Sequence, residues 1–175
     1  QASDNATKQR ISPDGLIEMA FILGDDIKRY TSKDSYILQP RAMVLGQTME
    51  PFYIEPTGYV KTFAIRFYPY SLAHLLNIEI KSLANTETPL TTLFGEKDAN
   101  ELERMIIIAK DTIQRIEIIE NFLRSIISKP LVIDDLVKST LDTIFESAGS
   151  KSIHAILKNK SSYRRKLERK FMKHI

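Results

Sequence analysis

Apolar and polar positions change their period near residue 70, and that change separates a strand-bearing part of the chain from a helix-bearing one. From Arg10 to about Tyr70, short apolar runs alternate with turn signals. The run Leu16-Ile17-Glu18-Met19-Ala20-Phe21-Ile22-Leu23 has strand length and lies between the turns Pro13-Asp14-Gly15 and Gly24-Asp25-Asp26. Tyr36-Ile37-Leu38, Ala42-Met43-Val44-Leu45 and Phe52-Tyr53-Ile54 follow, the last closed by Glu55-Pro56-Thr57-Gly58. From Lys61 to Phe67 the pattern alternates, with Phe63, Ile65 and Phe67 on one face and Thr62, Ala64 and Arg66 on the other. That is the period of a half-buried strand. Several short strands at this spacing predict a sandwich or barrel. Gln1 to Gln9 reads as a polar lead-in.

After Pro69 the three-and-four spacing of helices takes over. Leu72, Leu75 and Leu76 predict a short helix, and 86–95 reads as a loop with one helical turn. The run from Ala99 to Lys129 predicts helix, broken near Asp111 and stopped by Pro130. Asp98 is the expected cap, because its carboxylate accepts N–H bonds that the first turn leaves open. Ile113, Ile116, Ile119, Glu120, Leu123 and Ile127 trace the expected inner face. Asp134 to Phe145 predicts the next helix, with Leu136, Val137, Leu141, Ile144 and Phe145 apolar and the pair Asp134-Asp135 capping its start. Past Ser147-Ala148-Gly149-Ser150 come two short helices. The first runs from Ser152 to about Lys158 with Ile153, Ile156 and Leu157 inward, and the second from about Ser162 to His174. Their link, Asn159-Lys160-Ser161, has the length found in a helix-turn-helix. The fold class is therefore α+β, divided into a β-rich domain with helices at its end (1–129) and part of an all-α domain (130–175).

Charge sharpens this division. The chain carries +3 overall. Between Lys151 and Ile175, nine lysines and arginines face a single acid, Glu168, so this segment holds +8 and the rest −5. A basic tail on a mildly acidic body suits a polyanionic partner. On the last helix, Tyr163, Leu167 and Phe171 share one face, and Arg165, Arg169 and Lys173, with Lys166 beside them, share the other. Such a row of cations on a rod that fits the major groove can grip phosphates or read guanine edges. Basic terminal helices are also common as plain solvated surface, and only the companion helix raises the nucleic-acid reading above that.

Arg165-x-Leu167-x-Arg169-x-Phe171, preceded by Ile153-x-x-Ile156-Leu157, resembles the first recognition helix of AraC-family transcription regulators and the helix before it. Upstream, Pro13-Asp14-Gly15-Leu16-Ile17-Glu18 with Phe21, Leu23, Gly24 and Asp25 resembles the opening of one sensor subtype of that family. Gln39-Pro40-Arg41-Ala42, Gly46-Gln47, Ile54-Glu55-Pro56-Thr57-Gly58 and Phe63-Ala64-Ile65-Arg66-Phe67 resemble its later strands. The resemblance implies a cupin-like β-barrel or sandwich, helices that support a homodimer through residues 99–128, and a DNA-binding domain of two helix-turn-helix units, of which the chain holds only the first. It places contacts to an operator in double-stranded DNA on Arg165, Glu168 and Arg169. Ser161 and Tyr163 depart from the family pattern, which usually has a glycine and a small capping residue there. The chain opens on Gln1, so a missing N-terminus is expected as well.

A small-molecule effector is the expected ligand of the β-rich part. Arg41, Gln47, Tyr53 and Arg66 are its candidate contacts, with Gln39, Tyr36, Phe52 and Phe67 as further wall residues; ion pairing and core packing are the plainer roles for these residue types. The three histidines, His74, His154 and His174, are scattered outside the strands, so no metal or other cofactor is expected. No nucleophile elbow, phosphate loop or cysteine is present, which argues against an enzyme. No apolar run nears the roughly 20 residues that span a bilayer. Without cysteine or a secretory signal, a cytoplasmic location is expected. The competing function is a ligand-binding or protein-interaction module that binds no DNA in this form.

Overall fold

The apolar run around Met19 forms a strand covered on both of its faces, which is why almost every residue in it is apolar. The structure, a computed structural model, describes residues 7–68, 71–75, 80–127, 134–157 and 161–174; the side chains at 73–74, 161–163 and 172–174 lie outside that description. Strands β1 (Gln9–Ile11), β2 (Ile17–Ile22), β3 (Ile27–Tyr30), β4 (Tyr36–Leu38), β5 (Ala42–Leu45), β6 (Phe52–Pro56) and β7 (Thr62–Phe67) come first. Helix α1 (Ser71–Leu75), a 3-10 turn (Ile80–Leu83) and β8 (Glu87–Pro89) lead into α2 (Leu90–Phe94), α3 (Glu96–Ile108) and α4 (Thr112–Ile126). Helices α5 (Asp135–Glu146), α6 (Ile153–Ile156) and α7 (Ser161–His174) follow.

The strands form two four-stranded antiparallel sheets, ordered β1-β6-β3-β4 and β7-β2-β5-β8. In the second sheet Met19 stands opposite Val44 on one side and Ile65 on the other. Ala20, Ile22 and Met43 on one face of that sheet meet Ile27 and Ile54 of the first, making a small core between the sheets. Ile17, Met19, Phe21, Val44 and Phe67 on the opposite face meet Leu72, Leu90, Leu102, Ile106 and Ile119 in the main core. The order of layers is thus sheet, sheet, helices. The expected barrel does not close: among the described residues β1 and β4 edge one sheet and β7 and β8 the other, with no pairing across. β1, β3 and β8 arise in segments that read as polar or as loop.

Several motif residues hold turns in place. A side chain at Gly46 would collide with the carbonyl of Leu83 in the 3-10 turn, so only glycine lets the end of β5 pass there. The loops at 24–26 and 57–61 interlock: the Asp25 carboxylate accepts the Tyr59 N–H at 2.7 Å, and the Asp26 carbonyl accepts the Thr57 N–H at 2.9 Å.

Two helix expectations are corrected. Helix α3 is entered through Gly95 (φ 82°), and Asp98 lies in its first turn rather than capping it. The break near Asp111 is real. Asp111 caps α4 by accepting the Gln114 N–H at 2.8 Å, while Gln114 Oε1 accepts the Lys110 N–H at 2.8 Å, a reciprocal arrangement close to a capping box. The inner face of α4 is rotated from the one expected. Arg115, Ile118, Ile119 and Phe122 turn inward, whereas Ile113 (70% exposed), Ile116 and Ile127 face out. Arg115 is buried because its guanidinium caps the preceding helix. Nε donates to the Ile106 carbonyl at 3.1 Å and Nη2 to the Ala109 carbonyl at 2.8 Å.

Candidate nucleic-acid interface

Helix α5 starts where the sequence reading placed it. Asp134 caps it by accepting the Leu136 N–H at 3.1 Å, and Val137, Thr140 and Leu141 form its buried side. Phe145 meets Tyr68 edge to face at 6.2 Å, which ties α5 to the end of β7. Helix α7 packs on α5 and touches the 3-10 turn. Leu167 is only 4% exposed and Phe171 is half-buried, so these two residues of the apolar stripe are engaged, and the Tyr163 side chain lies outside the described residues. Helix α6 is shorter than expected: Ser152 caps it on the Ala155 N–H at 3.2 Å, but Ile153 is exposed instead of inward. The link at 158–160 lies outside the described residues.

The other side of α7 is exposed. Arg165, Lys166 and Arg169 face solvent, and among the described residues none forms an ion pair or hydrogen bond with their side chains. Glu168 is exposed too, but accepts from Arg164 Nε at 3.0 Å one turn away. The Lys173 side chain lies outside the described residues. Lys170 leans back to Asp134 and joins α7 to the start of α5.

The Lys170 ammonium, hydrogen-bonded to it, holds the Asp134 carboxyl below its ordinary pKa against the opposing effect of burial. A depressed acid contributes stability above the ordinary aspartate value and loses it as pH falls through the lowered one. Asp134→Asn keeps a capping acceptor and removes the charge. At neutral pH it is expected to speed amide exchange along 164–170, and wild type should approach the variant only in strong acid. Equal exchange rates at neutral pH would remove the tether from this account.

The candidate effector residues are not brought together. Arg41 clamps the interlocked loops, with Nη1 2.7 Å from Asp26 Oδ1 and Nη2 donating to the carbonyls of Ile22 (3.1 Å) and Gly24 (2.8 Å). Arg66 pairs with Glu18, its neighbour across β2 and β7. Gln47 Nε2 donates to the Gly15 carbonyl at 2.9 Å. Phe67 is core, Gln39 is buried and Tyr36 is exposed. Of these candidates, only Tyr53 and Phe52 line a cleft of about 960 Å³ at one end of the first sheet. Sequence reasoning missed Lys8, Arg29 and Lys33 on its wall. β3 reads as charged, yet its two-residue period puts Arg29 on the face of Ile27, and that was the available signal.

Arg29 lines this cleft. Its guanidinium lies 4.7 Å from the Phe52 ring centre. Its Nε forms an ion pair with Glu87 Oε1 at 2.9 Å. Gln39 Nε2 donates to the same oxygen at 2.7 Å. Burial raises the Glu87 pKa, outweighing the lowering by Gln39 and Arg29.

These elements define a mixed α+β protein, with two antiparallel sheets followed by helices and, among the described residues, no helix long and apolar enough to cross a membrane. The chain belongs to the DUF6597 family, described as a domain of unknown function, whose model matches residues 1–89, just over half the chain and as far as the end of β8. No curated protein and no solved structure matches it.

Proposed function

We propose that the chain is the sensor and first DNA-contacting segment of an AraC-type transcription regulator, with residues 1–129 sensing an effector and 130–175 opening the DNA-binding domain. The observation that carries this reading is the two-sided placement of α7: Leu167 is buried while Arg165, Lys166 and Arg169 stand in solvent. A helix held by its apolar side with its cations unspent is ready to enter a major groove. The family supports the same reading, because this domain is often part of AraC-type regulators. The α7 motif, which resembles that family's recognition helix, agrees with it. Affinity on this proposal comes mostly from phosphate contacts, and Arg165 and Arg169 add base discrimination.

A second reading has its own observation. Ile107, Ile108, Ile113 and Ile116 are exposed on α3 and α4, and such apolar surface suits a protein contact. A module that pairs with another copy through 99–128 and binds no DNA would use this face alone. Anisotropy titrations of the chain on duplexes selected from a random pool separate the two. DNA binding should weaken steeply as salt rises, and Arg169→Ala should cost roughly 1–3 kcal/mol where the arginine reads a base. Equal affinity of variant and wild type for a selected duplex would take Arg169 out of the interface.

A further inference from the structure

We infer that the cleft at the end of the first sheet binds a small organic anion, a carboxylate or phosphate monoester on a flat apolar body, with Arg29 as its anchor. The inference rests on the sensor reading for biological meaning, but the site is argued from its own chemistry. Lys8, Arg29 and Lys33 line the cleft against a single carboxylate, Glu50. Between them lie the apolar surfaces of Met49, Phe52 and Tyr53. Cations over an aromatic wall select a ligand with both a charge and an apolar body, and the volume is that of an ordinary small-molecule site.

Arg29 differs from Arg41 and Arg66. Arg41 spends its guanidinium on a carboxylate and two carbonyls, and Arg66 spends its own on Glu18. Among the described residues Arg29 has one charged partner, Glu87, reached through Nε alone. Its side chain is 20% exposed and that of Glu87 is 7% exposed, with Arg29 Nε and Glu87 Oε2 both buried and without a hydrogen-bond partner. A buried ion pair stabilises a fold only when hydrogen bonds complete it, and Arg29 Nη1 and Nη2 have no partner among the described residues. Set over the Phe52 ring and paired with Glu87, the guanidinium is held in place, and its planar fork suits bidentate contact with a carboxylate or phosphate. Lys33 is exposed at the rim, and Lys8 lies over the Tyr30 ring at 3.3 Å. Both add attraction for an incoming anion.

Isothermal titration of the whole chain with 2-naphthoate, 2-naphthyl phosphate, 2-naphthamide and inorganic phosphate tests this. Saturable one-to-one binding of 2-naphthoate or 2-naphthyl phosphate is expected, and which of the two binds names the anion. The neutral amide and bare phosphate should bind at least tenfold more weakly. The double change Arg29→Gln with Glu87→Gln removes both charges together and leaves no buried ion unpaired. It should weaken the anionic probe at least tenfold. Lys33→Gln, at an exposed position where folding is not at stake, should weaken it severalfold. Naphthamide binding as tightly as naphthoate, an unaffected double variant, or no saturable binding of any probe would overturn the inference. No arm involves DNA, so failure here leaves the reading of α7 standing, and failure of DNA binding leaves this site standing.

Discussion

Replacing Arg115 by alanine is expected to destabilise the protein by roughly 2–5 kcal/mol, measured as a lower urea midpoint. Each buried carbonyl left without a donor costs about 1–3 kcal/mol, and Arg115 serves two of them, on Ile106 and Ala109. The last carbonyls of a helix have no partner within it, so those at the end of α3 depend on a donor from outside. The aliphatic stem of Arg115 is lost from the packing as well. Both carbonyls sit where α3 turns into α4 against the main core, so the damage should spread to the α3–α4 pair. Lysine should restore little, because one ammonium on a flexible stem does not reproduce two N–H groups set in a rigid plane. A change below about 1 kcal/mol for Arg115→Ala would mean that water replaces the guanidinium at no cost, against this reading.

The same residue explains where the sequence misled. Isoleucines at 113, 116, 118 and 119 make several faces of α4 almost equally apolar. Pattern alone then favours the face without an arginine, since arginine is rarely buried. A hydrogen-bonding role for Arg115 rotates the helix, and that role depends on where α3 ends, which periodicity does not contain. Strands β2, β5 and β7 were legible because each has one dominant period or a continuous apolar run. β8 was not: Glu87-Thr88-Pro89 carries no strand pattern, and pairing with β5 makes it a strand. Whether the strands close into a barrel depends on edge pairing, to which local sequence is blind. At the candidate interface, the two faces of α7 followed directly from its spacing. The tether from Lys170 to Asp134, 36 residues away, did not. Arg41 and Arg66 are the arginines the sequence offers as effector contacts, and the structure spends both on partners within the fold. Lys28-Arg29-Tyr30 carries no apolar pattern that would mark Arg29 as part of a site. The difference between a structural and an available arginine lies in its hydrogen bonds, which composition does not record.

Leu167→Ala is expected to have the largest effect on the tail. Truncating a buried leucine costs about 2–5 kcal/mol when the site does not collapse. Here the lower half of that range is expected, because α7 is held mainly by α5 and the 3-10 turn and can relax outward. That loss should show as faster amide exchange along α7 with little change in β2 and β5, whose core lies elsewhere. The consequence for the proposed function is separable from that of Arg169→Ala. Losing the arginine removes a contact and leaves the helix docked. Losing the leucine leaves all the cations present but no longer holds them in one direction, so affinity for a selected duplex should drop towards that for random DNA. Phosphate attraction survives such a loosening, and discrimination does not. If Leu167→Ala frees α7 and discrimination between duplexes persists, the helix is not the reading element, and the solvent-facing arginines are plain surface charge.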